Sequence, residues 1–113
     1  METKAVLAAM AALAQETRLG IFRLLVQTGP EGMAATRIAE HMGIAPSSLS
    51  FHLKELTHSG LIGVRQDGRF LFYSASMDTM NALVAFLTAN CCCGVACMPA
   101  ATSCVPPTAL MEN

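Results

Sequence analysis

A mostly α-helical fold carrying one β-hairpin is what this 113-residue sequence predicts. Three observations point to it. Apolar residues recur at helical spacing through the first half of the chain and again after Ser76. Two short helical segments near the middle are separated by a glycine and then a proline. Between Leu61 and Tyr73 the pattern turns to strand-like runs broken by Asp67-Gly68.

Residues 5–14 are rich in alanine, leucine and methionine, all strong helix formers, and carry no charge. A helix apolar on nearly every side is expected to be buried, here partly against another subunit. Residues 17–27 place Leu19, Phe22 and Val26 in one row and Ile21 and Leu25 in another, and Gly29-Pro30 closes that helix. Arg18 and Arg23 fall off this stripe and are expected to be solvated.

The next helix, residues 34–42, stops at Gly43, a residue suited to the left-handed turn that ends helices. Pro46 then fits the first turn of a new helix, where its missing N–H costs nothing. Leu49, Leu53 and Leu56 share one side of that helix, while Ser47, Ser48 and Ser50 sit in its N-terminal half. Two short helices joined by a tight turn form a helix-turn-helix, whose second helix offers its N-terminal residues to a major groove. After it, Asp67-Gly68 is a hairpin signal, read as a type I′ turn with positive φ at both central residues. Ser76 can cap a last helix running from Met77 to about Asn90, with Met77, Met80, Leu83, Val84 and Leu87 on one side. Beyond Met98 the chain has three prolines and little periodicity, so a flexible tail is expected.

Composition narrows the function. Hydrophobic residues make up 53% of the chain, more apolar surface than one small core needs, which favours a subunit interface. No apolar run reaches the roughly 20 residues of a membrane span. The N-terminal stretch lacks a basic segment followed by an uninterrupted apolar one, so a cytoplasmic protein is expected, in a compartment where thiols stay reduced. A net charge of −1 argues against indiscriminate binding to nucleic acid. Locally, residues 35–73 hold Arg37, Lys54, Arg65 and Arg69 against Glu40, Glu55 and Asp67, together with three histidines.

The cysteines stand apart: Cys91, Cys92 and Cys93 are consecutive, Cys97 follows, and Cys104 is the fifth. Adjacent cysteines are poorly placed to bridge one another, yet they can gather thiolates around one thiophilic centre. An enzyme using one of them as nucleophile lacks an activating cation, since residues 81–113 contain no lysine, arginine or histidine. No glycine-rich phosphate loop is present, and the serines at 47, 48 and 50 lie on a helix surface that supplies neither oxyanion hole nor orienting acid.

The order of elements is that of a winged helix-turn-helix, and the segments LAQETRLGIFRLL, IAEHMGIAPSSLSFHLKELTHSGLI and VRQDGRFLFYS resemble the ArsR family of winged-helix metal-responsive repressors. The resemblance covers residues 5–90 or so and is most specific at Ser50-Phe51-His52-Leu53-Lys54. It implies a homodimer built from the first and last helices, through Leu7, Met10, Met80, Leu83, Val84 and Leu87. It also implies a palindromic double-stranded operator, released when an inducer binds. DNA contacts are expected from Ser47, Ser48, Ser50, His52 and Lys54 on the recognition helix and from Arg65 and Arg69 on the wing, with helix capping as the plainer alternative for each serine.

Two inducer sites common in that family are missing here. Residues 33–45 contain no cysteine, and the last helix has Asp78 but neither histidine nor glutamate. The Asn90-Cys91-Cys92 sequence is similar instead to the C-terminal site of an arsenite-responsive branch. That resemblance implies trivalent arsenic as inducer, or antimony, held by three thiolates: Cys91, Cys92 and Cys97, with Cys93 as a substitute ligand. Thiolates on one small ion at bonds of about 2.3 Å, the zinc value, must come within about 4.6 Å of one another. Residues 91 and 92 diverge by about 100° in a helix, so the helix must fray or end there for both to converge. Gly94 permits the turn that returns Cys97. A redox-sensing or a cadmium- or zinc-sensing repressor on the same fold is the alternative. The division expected is a DNA-binding and dimerisation domain over 1–90 and an inducer-binding segment with tail over 91–113.

Overall fold

The computed structural model describes residues 1–90. Cys91, Cys92, Cys93, Cys97 and Cys104, and the segment expected to be a flexible tail, lie outside the described residues. The order is α1 (Thr3–Leu13), α2 (Glu16–Thr28), β1 (Met33–Ala34), α3 (Ala35–Met42), α4 (Pro46–His58), β2 (Ile62–Asp67), β3 (Phe70–Ala75) and α5 (Met77–Leu87). The chain divides into units Met1–Leu83 and Val84–Asn113.

In the first unit, Ile21, Leu25, Ile38, Leu56 and Leu61 are fully enclosed, joined by Ala9, Phe22, Leu49, Leu53 and Ile62 in one core. α2 enters this core through Ile21, Phe22 and Leu25, whereas Leu19 and Val26 are exposed. The expected row through Leu19 and Val26 is therefore corrected: both lie across the helix from Ile21 and Leu25, and one helix can bury one stripe. Arg18 is also corrected. Its Nε donates to the Ala12 carbonyl oxygen at 2.7 Å, and its backbone N–H donates to the Gln15 side chain at 2.8 Å, so it joins the end of α1 to the start of α2. That carbonyl is one of the last four of α1, which the helix itself leaves without partners.

The turn between α3 and α4 follows expectation, with Gly43 at φ 67°, ψ 36° and Pro46 in the first turn of α4. Sequence periodicity missed β1, whose two residues pair antiparallel with Phe72 and Tyr73 to give the sheet order β1-β3-β2. Two residues are too few to show alternation. The hairpin turn is shifted by one residue from expectation. Asp67 pairs with Phe70, so Gly68 and Arg69 are the central residues. Gly68 has φ 66° and Arg69 has no positive φ, the pattern of a type II′ rather than a type I′ turn. Ser76 caps α5 as expected, its Oγ accepting from the Thr79 backbone N–H at 3.3 Å.

α5 ends at Leu87 rather than near Asn90, and Asn90 is the one non-glycine residue with positive φ among the described residues, at 61°. Among the described residues no single helix is long and apolar enough to cross a membrane.

Gly32 sets a test of the α2–β1 connection. Its φ is +83°, and an added Cβ would stand 2.7 Å from the Tyr73 carbonyl oxygen. Gly32→Ala should lower the unfolding free energy by about 1–3 kcal/mol in urea titrations, from backbone strain with the close approach added. Gly63→Ala, whose Cβ meets nothing within 4 Å, should be near neutral.

Candidate nucleic-acid interface

Burial of Leu49, Leu53 and Leu56 fixes how α4 is turned. At 100° per residue the opposite side carries Ser47, Phe51, Lys54 and His58, with Ser48 and Ser50 flanking it, and all six are exposed. The N-cap of α4 is Ala45, which makes no side-chain cap bond, and Ser47, Ser48 and Ser50 do not cap the helix. Among the described residues their hydroxyls and the first N–H groups of α4 are thus uncommitted, at the end where the helix dipole favours phosphate.

His52 is placed differently. It sits nearer the core side, half-buried, with Nδ1 enclosed and lacking a hydrogen-bond partner among the described residues. Any bond it gives to DNA must come from Nε2. Phe51 was not among the expected contacts, yet it is 56% exposed in the middle of the outward side, with its ring edge-on to His52 at a centroid distance of 5.6 Å. The helical wheel alone carried that signal, because position 51 lies opposite the leucine stripe.

Ser50 and Lys54 share an open cleft of about 280 Å³ with Val64 and Tyr73, so the recognition helix and one side of the hairpin meet there. Arg65, next to Val64 in β2, points to the other side of the hairpin. There it lies over the Phe72 ring at 4.8 Å, donates from Nη2 to the Glu31 carbonyl oxygen at 2.9 Å, and approaches Asp67 at 3.5 Å. Arg65 therefore ties the middle of the wing to the connection between α2 and β1. Arg69 sits at the hairpin tip with no hydrogen bond or ion pair among the described residues, a cation whose donors remain available.

The expected interface residues of α1 and α5 divide by exposure. Leu7 and Met10 are exposed on α1, as are Val84 and Leu87 on α5. Met80 is partly buried against the core, and Leu83 is 5% exposed, so within a single chain its side chain belongs to the interior. Among the described residues no three histidine, cysteine or acidic side chains gather to hold a metal ion.

A two-helix element with a turn-defining glycine, an outward recognition helix and an antiparallel wing define the class of winged helix-turn-helix regulators. A helix-turn-helix domain model matches residues 13–65. The nodulation protein NolR of Rhizobium meliloti is 33% identical over 79 residues, which span 70% of this chain and 62% of NolR. The HTH-type transcriptional regulator YceK of Bacillus subtilis is 35% identical over 70 residues, spanning 62% of this chain and 69% of YceK. Among solved structures, a homodimeric winged helix-turn-helix DNA-binding domain from Mycobacterium bovis, described as a possible ArsR-family regulator, superposes with a TM-score of 0.63 at 28% identity, covering 75% of this chain and 77% of that one. A possible transcriptional regulator for arsenical resistance gives a TM-score of 0.61 at 30% identity, covering 70% and 79%. The chain belongs to the ArsR family of helix-turn-helix transcriptional regulators. Its relatives are regulators, so the thiol-enzyme reading falls away.

If the wing tip touches phosphate, Arg69→Ala should weaken binding to all duplexes and flatten the log–log salt dependence by about one unit. Arg65→Ala should flatten it less, because that guanidinium is already engaged. Anisotropy at several salt concentrations reads both; an unchanged slope for Arg69→Ala would take the wing out of the interface.

Proposed function

We propose that this chain is a metalloid-responsive repressor that binds a palindromic operator as a homodimer and releases it when trivalent arsenic, or antimony, is held by Cys91, Cys92 and Cys97. The observation that carries the reading is a cysteine cluster placed directly after a helix that has already ended. α5 stops at Leu87, the Ala89 N–H reaches only to the Phe86 carbonyl oxygen, and Asn90 turns left-handed. The chain has left helical geometry by Asn90, whereas a helix continued past it would set neighbouring thiolates about 100° apart. The donor set suits the ion: soft thiolates select soft centres, and a lone-pair-bearing trivalent ion takes three sulfurs where zinc takes a closed tetrahedron. A similar solved structure is described as a possible regulator for arsenical resistance, which supports the same inducer class.

Homodimerisation is supported by the M. bovis neighbour and by the exposed Leu7, Met10, Val84 and Leu87. In such a dimer, two copies of α4 meet successive major grooves of a palindrome, at a spacing the protein's own two-fold symmetry sets. Inducer sites remote from DNA act by favouring a dimer geometry in which that spacing is wrong, a coupling of typically about 1–3 kcal/mol.

Leu7→Glu places a charge on a side chain that is 61% exposed in the single chain, so it should leave the fold intact, give monomers by sedimentation and lose operator binding together. Leu83→Glu is a poorer probe because it also charges the interior. A Leu7→Glu monomer that binds the full operator undiminished would remove the dimer from the mechanism. For the inducer, Cys91→Ser, Cys92→Ser and Cys97→Ser should still bind labelled operator but keep it under arsenite, while Cys104→Ser releases it normally and Cys93→Ser is intermediate or silent. Release by both Cys91→Ser and Cys92→Ser at wild-type arsenite concentrations would show that the sensor lies elsewhere.

A further inference from the structure

Phe51 is an apolar side chain where a soluble helix is expected to be polar. It is 56% exposed, and the residues that share its side of α4 are Ser47, Lys54 and His58, with Ser48 and Ser50 at the flanks. The ring has no apolar patch on that helix to join, since Leu49, Leu53 and Leu56 are on the buried side. Its edge-on contact with His52, itself half-buried, gives the ring a fixed neighbour on the core side and leaves the rest facing outward. Ser47 is one turn before it and Lys54 about one turn after, so the ring stands at the centre of the surface that enters a major groove.

A phenyl ring neither donates nor accepts a conventional hydrogen bond, so it cannot read the amino, carbonyl or ring-nitrogen groups of a base edge. The major groove offers one apolar group, the 5-methyl of thymine. We propose that Phe51 is a specificity-determining residue that recognises a thymine in each operator half-site through its 5-methyl group. The flanking serines and Lys54 set the position of the helix on phosphates and neighbouring edges, and the ring selects the base between them. This assignment rests on operator binding through α4 and is independent of which ion is the inducer.

The test uses the full chain. Duplexes bound by the wild type are selected from a random pool. Each thymine of the preferred site is then replaced singly by deoxyuridine, which keeps Watson–Crick pairing and removes only the methyl. One thymine per half-site should emerge at which loss of the methyl weakens wild-type binding about fourfold, as expected for burying one methyl group. Phe51→Ala should bind the thymine duplex more weakly and be indifferent to deoxyuridine at that position, whereas Phe51→Leu, still apolar, should retain part of the sensitivity. Wild-type binding that no deoxyuridine alters, or a Phe51→Ala protein as sensitive as wild type, overturns the assignment while leaving operator binding intact. A pool that yields no preferred duplex overturns the operator reading and this one with it. A change of oligomeric state in Phe51→Ala would mark the ring as a protein contact and also overturn the proposal.

Discussion

Leu49, Leu53 and Leu56 are nearly removed from solvent on one side of α4, against a core that also encloses Ile21, Leu25, Ile38 and Leu61. Full burial of each such side chain contributes about 1.5–3 kcal/mol, so turning the helix by one residue would forfeit several kcal/mol and push serine hydroxyls into the core. That constraint sets the orientation of everything α4 presents. Ser47, Phe51 and Lys54 face outward because the leucines face inward, and His52, close to the boundary, is half in and half out. The rotation of the helix is fixed by packing rather than by any contact on its exposed side.

The wing shows how few charges the chain commits to its task. With a net charge of −1 it has little general attraction for a polyanion, so binding must come from placed groups. Arg65 stacks on Phe72 and bonds to the Glu31 carbonyl oxygen, which ties the hairpin to the connection between α2 and β1. Arg69 at the turn has no hydrogen bond or ion pair among the described residues. Two arginines four residues apart thus divide the work, one holding the wing and the other extending from it.

Much of this was legible in the residues. Helical periodicity, Gly43, Pro46 and the Ser76 cap located the five helices of the described residues to within a few positions, because each depends on local chemistry that a sequence displays. What escaped depends on pairing across the chain. The two residues of β1 become a strand only because Tyr73 and Phe72 lie beside them, and the hairpin turn shifted by one residue because register, not the Asp-Gly pair, selects its central positions. The roles of Arg18 and Arg65 were invisible for the same reason, since their partners are backbone carbonyls with no sequence signature. Phe51 was readable in principle, as the residue opposite the leucine stripe.

Were induction to run through the proposed thiol site, inducer and operator binding would be parts of one equilibrium, and linkage would then leave no freedom: whatever arsenite does to operator affinity, operator must do to arsenite affinity. The most direct measurement is calorimetric titration of arsenite into the reduced protein, alone and saturated with operator duplex. The free protein should bind arsenite more tightly, by the same factor by which arsenite weakens operator binding, in the range of about 5–150-fold for couplings of this kind. Equal arsenite affinities in the two titrations would contradict the coupling on which repression and release depend.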